Sequence, residues 1–174
     1  MKEAKKRNPD ILLYGLPWGF PNWLGSSDNQ NVLTNNGGTD AANYIVNWIE
    51  CANKTHGLKI DIIGVWNEMD DQFEAGGVAY LKLLRKVLDA RGFASTKIIA
   101  GDVHSWAPST EVLKDPELAK VVDILCRHYP STKSDPAAVQ SGKPLWSSED
   151  YAADNTGAGG RCQARIRNQV REIL

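Results

Sequence analysis

The chain has 174 residues, 42% of them hydrophobic and 24% charged, with a net charge of −1; this is the composition of one globular domain with a core of its own. The near-neutral charge excludes the basic footprint of a nucleic-acid binder or of a protein held to an anionic membrane, and no apolar run is long enough to span a bilayer. The three cysteines, Cys51, Cys126 and Cys162, lack metal-ligand spacing; Cys51 in a helical pattern and Cys126 in a strand pattern read as small buried hydrophobes.

Residues 1–8 are polar and basic and read as a helix closed by Pro9, since the residue before a proline avoids the helical region. No apolar segment ending in a small-residue cleavage site follows them, so no signal peptide is read. Residues 11–16 form a strand pattern that runs into an aromatic loop stiffened by Pro17 and Pro21 and carrying Trp18 and Trp23. Residues 26–38, rich in Asn, Ser, Asp and Gly, are loop. Residues 40–56 place Ala42, Ile45, Val46 and Ile49 on one helical face, with Thr39 or Asp40 as cap and Gly57 as stop.

The next strand begins at Ile60. Its β-branched run suits a buried strand, and it ends in Trp66-Asn67-Glu68. After a polar loop, residues 78–90 are a helix with Leu81, Leu84, Val87 and Leu88 on one face, ended by Gly92. Residues 96–102 are a strand leading to Asp102 and His104. Residues 109–120 are helical, with Pro116 opening a second short turn. Residues 121–126 are a strand that ends in Arg127-His128-Tyr129-Pro130. A short helical crossover at 135–141 leads to a last strand at 144–148 and to Glu149. Residues 150–160 read as loop and 161–174 as a basic amphipathic helix.

Strand and helix thus alternate five times, which predicts a parallel sheet with helices outside. Every strand end carries polar or aromatic residues, the signature of one rim of a (β/α)8 barrel. Five units are too few to close such a barrel, which takes about 250 residues. An open five-strand sheet of flavodoxin-like order is the competing fold.

The rim defines a chemistry. Two glutamates at neighbouring strand ends form the pair used in glycoside hydrolysis with retention, where the carboxyl groups stand roughly 5 to 5.5 Å apart. A general acid must keep its proton at working pH, which burial or a second carboxylate promotes; Trp66 and Trp146 lie close enough in sequence to shield the two glutamates from water. Asn67 is placed to hydrogen-bond a sugar hydroxyl. Tyr129 or His128 is placed to hold the nucleophile. Taken singly, each residue has a plainer reading. A Glu after a strand is most often a loop residue or cap, and His128 alone is a structural histidine. Asp102 and His104 read equally as caps of the following helix, and Trp18 and Trp23 as packing under their loop. The chemistry calls for no metal or other cofactor.

The motifs Gly15-Leu16-Pro17-Trp18-Gly19-Phe20-Pro21-Asn22-Trp23-Leu24-Gly25, Trp66-Asn67-Glu68, His128-Tyr129-Pro130 and Trp146-Ser147-Ser148-Glu149-Asp150 together resemble glycoside hydrolase family 59, in the clan A retaining glycosidases. The resemblance covers about residues 5–160 in the same order. It implies a partial TIM (β/α)8 barrel, about strands 3 to 7 with their helices, and makes residues 1–174 a fragment of a glycosidase catalytic domain. It implies hydrolysis of β-galactosidic bonds of galactosylceramide or related galactolipids, with Glu68 as acid/base and Glu149 as nucleophile. Trp18 and Asn67 are implied to bind the galactosyl group, and His128 and Tyr129 to line its pocket. A lipid-transfer activator protein in full-length relatives and a lysosomal or secreted location follow from the same resemblance.

The chain also departs from the family. The first two barrel strands, the eighth, and the family's β-sandwich and lectin-like domains are missing, and with them a threonine and an arginine that bind galactose. Asp150-Tyr151-Ala152 lacks the serine hydroxyl that the family carries after its nucleophile. Cys162 falls near a cysteine the family uses in a disulfide, with its partner outside this chain. A truncated, inactive sugar-binding or structural fragment, or a clan A glycosidase for another sugar, are the alternatives.

Overall fold

A computed structural model describes residues 1–24, 32–69, 76–130 and 135–149. The expected loop and basic helix of residues 150–174, with Asp150 and Cys162, lie outside them, as do parts of the expected loops at 26–38 and 69–77. The elements in order are α1 (Lys2–Arg7), β1 (Tyr14–Gly15), α2 (Thr39–His56), β2 (Ile62–Ile63), α3 (Val78–Ala90), β3 (Lys97–Ala100), α4 (Ala107–Lys114), α5 (Pro116–Val121), β4 (Ile124–His128), α6 (Pro136–Gln140) and β5 (Leu145–Glu149).

All five strands are parallel, and each lies beside its successor: β1-β2-β3-β4-β5. That sequential order is half of a (β/α)8 barrel, curled with helices outside, and it excludes the flavodoxin-like order, in which the first strand lies between the second and third. Alternation along the strands divides the core into two layers. Ile63, Ile98, Ala100 and Leu125 belong to the layer that includes the buried faces of α2 and α3. Ile62, Ile99, Ile124 and Cys126 form a smaller inner layer, with Tyr14 and Trp146 packed against it. At the bottom of the sheet, Asp61 and Asp123 accept the backbone N–H groups of Leu13 and Ile98, each at 2.8 Å, and tie neighbouring strands in register.

Helices α2 and α3 match their periodicity. Gly57 (φ 62°) and Gly92 (φ 82°) end them in the left-handed region that glycine tolerates. Two local expectations change, the cap of α2 and the burial of Cys51, while the second turn expected at Pro116 is found as a helix of its own. Neither Thr39 nor Asp40 caps α2: a 3-10 turn over Asn35–Gly38 runs straight into it, and Gly38 (φ 79°) takes the cap position. Cys51 is exposed, on the outer side of α2. The helix expected at 109–120 is two helices, because the Asp115 side chain accepts from the N–H groups of Glu117 and Leu118, at 3.0 and 3.1 Å, and starts α5 afresh. Helix α5 absorbs Val121, so β4 begins later than its apolar run and reaches as far as His128.

Candidate active site

Three strand ends carry a non-glycine residue with left-handed backbone: Glu68 (φ 53°), Asp102 (φ 56°) and Tyr129 (φ 49°). Such residues cost of order 1–3 kcal/mol each and concentrate where function demands them. Here backbone hydrogen bonds stitch them together. The N–H of Asn67 donates to Pro17 O (2.8 Å), that of Glu68 to Asp102 O (2.8 Å), that of His128 to Val103 O (2.9 Å) and that of Tyr129 to Glu149 O (2.9 Å). The C-terminal ends of all five strands are thereby joined into one rim.

The register of β5 decides which residue faces that rim. Cys126 pairs with Trp146 and Arg127 with Ser147, but His128 pairs with Glu149. Simple alternation would put Ser148 opposite His128. The bulge skips Ser148 and brings Glu149 to the inner side instead.

At the centre stands His128, its side chain fully buried. Nδ1 lies 3.1 Å from Glu68 Oε1 and 3.9 Å from Glu149 Oε2, and Nε2 lies 3.7 Å from Asp102 Oδ1. One donor atom each from Glu68, His128 and Glu149 falls within 4.8 Å of the other two, so the two carboxylates approach across a gap that a single anomeric centre can bridge. The Tyr129 hydroxyl donates to Glu149 Oε1, and His104 Nε2 stands 3.4 Å from Glu68 Oε1. Both glutamates keep part of their side chains open to solvent, 38% for Glu68 and 32% for Glu149. The spacing of these three groups would also admit a cation.

Electrostatics favours a charged ring. Burial works against the His128 imidazolium and is the largest single contribution. The nearby carboxylates of Asp102, Glu68 and Glu149 together outweigh it and raise the histidine above its ordinary value. Below the rim, burial first and the charge of Asp102 second push the Cys126 thiol and the Tyr14 hydroxyl well above their usual ranges.

Of the residues expected at the site, the structure gathers Glu68, His128, Tyr129 and Glu149 into direct contact. Asn67 sits at the rim with its amide oxygen buried and without a hydrogen-bond partner among the described residues. Trp18 is on the same rim loop, 72% exposed, next to Pro17, whose carbonyl accepts from the Asn67 N–H. Trp66 is a core residue, 5% exposed, packed edge-on against Phe20 at 5.1 Å. Sequence reasoning passed over Asp102 and His104 as helix caps. Helix α4 starts at Ala107 with Trp106 before it and no side-chain cap, so both are free to enter the site; their place after an apolar strand, level with Glu68 and His128, was the signal.

A parallel (β/α) half-barrel with two facing glutamates on its C-terminal rim has the build of a glycoside hydrolase catalytic domain. Residues 1–171 match glycosyl hydrolase family 59, and the chain belongs to that family. Over 170 residues it is 48% identical to the galactocerebrosidase of Mus musculus, over 169 residues 46% identical to that of Homo sapiens, and over 169 residues 43% identical to that of Danio rerio. Each match covers 97% of this chain and 24% of the relative, so the chain spans about a quarter of the length of the curated relatives it matches.

Proposed function

We propose that residues 1–174 are a piece of a (β/α)8 catalytic domain whose whole protein hydrolyses β-galactosides by double displacement. The observation that carries this reading is the approach of Glu68 and Glu149 to within 4.8 Å at one rim; it suits retention, where the carboxyl groups are roughly 5 to 5.5 Å apart, rather than inversion, where a water needs about 6.5 to 9.5 Å. Glu149 attacks the anomeric carbon as Glu68 protonates the departing glycosidic oxygen. The galactosyl group is left as an ester on Glu149. Glu68, now a carboxylate, takes a proton from water, whose oxygen attacks the same carbon and frees Glu149. Tyr129 fixes the Glu149 rotamer. Asn67, with an unpartnered amide oxygen, suits a sugar hydroxyl, and the exposed indole of Trp18 offers a face for the ring.

The likeness to galactocerebrosidases supports galactosylceramide or a related galactolipid as substrate. Such a lipid is held in a bilayer, and among the described residues no helix is long and apolar enough to cross one; presentation by a lipid-transfer activator, and a lysosomal or secreted location, belong to the same proposal. The test is a 2-fluoro-galactoside that traps the ester. In the full-length protein, the label is expected on Glu149 and is lost in Glu149→Ala; label persisting in that variant overturns the assignment. Nitrophenyl galactoside, glucoside and xyloside compared side by side decide the sugar.

A second reading has one observation behind it. Among the described residues, strands β1 and β5 each pair on one side only; on this reading the isolated chain is a catalytically inactive sugar-binding fragment. Galactose binding by calorimetry without turnover supports this; turnover by the purified chain excludes it.

A further inference from the structure

We propose that Asp102 is a positioning residue that holds His128 from beneath through Nε2–H, so that Nδ1 is the titrating nitrogen facing Glu68 and Glu149. The proposal rests on reading Glu68 as the acid/base.

Asp102 is completely buried, and neither of its carboxylate oxygens has a hydrogen-bond partner among the described residues. His128 Nε2 is buried and unpartnered as well, and it lies 3.7 Å from Asp102 Oδ1. Buried charges are normally paired and buried polar atoms satisfied. Each of these two groups supplies what the other lacks. No lysine or arginine among the described residues forms an ion pair with Asp102, so His128 is its one cationic neighbour.

The surroundings are built to hold the carboxylate there. The left-handed backbone at Asp102 (φ 56°) belongs to the rim stitching, and its N–H donates to Cys126 Sγ at 3.1 Å. Gly64 makes the space, since a Cβ at that position would lie 2.7 Å from both Asp102 Oδ2 and the Tyr14 hydroxyl. The titratable groups facing Asp102 are therefore Tyr14 from β1, Cys126 and His128 from β4; those facing His128 are Asp102, Glu68, His104, Tyr129 and Glu149.

The consequence concerns Glu68. With Nε2–H committed to Asp102, the second proton of the imidazolium sits on Nδ1, 3.1 Å from Glu68 Oε1. When Glu68 gives its proton to the leaving oxygen, its new negative charge meets that N–H donor already in place. No proton need leave the histidine in this step. The Asp102 carbonyl accepts from the Glu68 N–H, but its carboxylate acts through the ring, much as an orienting carboxylate fixes a catalytic histidine's tautomer; Asp102→Asn keeps the backbone contact and removes only the carboxylate charge.

The experiment uses full-length protein labelled with 15N-histidine, with His128 assigned by the signal lost in His128→Gln. The neutral ring is expected to carry its proton on Nε2 and to titrate at Nδ1; a neutral ring protonated on Nδ1 overturns the proposal, and this reading needs no variant at position 102. In Asp102→Asn, the His128 midpoint and the basic limb of nitrophenyl galactoside hydrolysis are both expected to move to lower pH, and Asp102→Glu to recover part of the shift. A loss of activity with neither moved would leave Asp102 a purely structural residue and sink the proposal. Trapping by the 2-fluoro-galactoside keeps the two readings apart. Absence of label on Glu149 defeats the glycosidase reading, whereas normal label with an unmoved His128 defeats only this one.

Discussion

The hydroxyl of Tyr129 donates to Glu149 Oε1, while its backbone N–H donates to the Glu149 carbonyl at 2.9 Å. One residue thus fixes both the strand position and the rotamer of the proposed nucleophile. A hydrogen bond to a charged group contributes about 1.5–3 kcal/mol, so Tyr129→Phe in the full-length protein is expected to lower kcat by roughly 10- to 100-fold, with a smaller change in KM; unchanged kcat would remove Tyr129 from the mechanism. His128 makes a separate prediction about pH. Its folded-state value is raised above the ordinary 6.5, so the protonated ring stabilises the fold fully below about 6.5 and that contribution is lost as pH rises through the raised value. Urea unfolding of the full-length protein is expected to show stability declining on the alkaline side, and His128→Gln to flatten that slope. The placement of Glu68, Glu149, His128 and Tyr129 on one rim was legible because each closes a recognisable strand pattern. The placement of Asp102 was not, because its proposed role depends on a positive φ and on the room left by Gly64, neither of which a carboxylate after a strand announces.

Strands β3 and β4 meet at a place where no side chain fits. Gly101 has φ +135°, and a Cβ there would lie 1.9 Å from the Cys126 carbonyl oxygen and 2.9 Å from Cys126 Sγ. The carbonyl belongs to the backbone of β4 and cannot swing aside. Gly101→Ala is therefore expected to destabilise by at least about 1–3 kcal/mol from backbone strain, with the clash added, and to disturb the adjacent Asp102. Gly19→Ala is the control, with open space around the added Cβ. Equal unfolding midpoints for the two variants would contradict this account of the β3–β4 contact. Helices α2 and α3 were readable to within a residue, since a 3.6-residue period and a terminal glycine are local signals. The extra residue in β5 was not. A bulge depends on the partner strand, and Ser147-Ser148-Glu149 reads the same with or without one.

Alternation alone also left the sheet order open, because it rests on pairings between residues far apart in the chain, and the same helices and strands serve a barrel or a doubly wound sheet. Among the described residues, the observed order leaves two edges. Strand β5 is only partly buried along its whole length. Beside β1, Ile11, Leu12 and Trp48 are 39%, 55% and 40% exposed, and a groove of about 380 Å³ is lined by Tyr14, Leu16, Tyr44, Trp48 and Ile63 among others. A parallel edge strand presents unpaired N–H and C=O groups, and an apolar groove alongside it adds a surface that water solvates poorly. The purified 174-residue chain is expected to associate through these edges, giving a mass above that of its 19.2 kDa monomer in light scattering. Charge placed on the β1 side, as in Leu12→Lys with Ile11→Lys, is expected to shift the population toward monomer, because a desolvated ammonium opposes strand addition more than the apolar contact favours it. The same double substitution lies outside the rim, so it leaves the Glu68–Glu149 approach intact; a chain that is a stable monomer before any such change would mean that the β1 and β5 edges are covered by something other than another sheet edge.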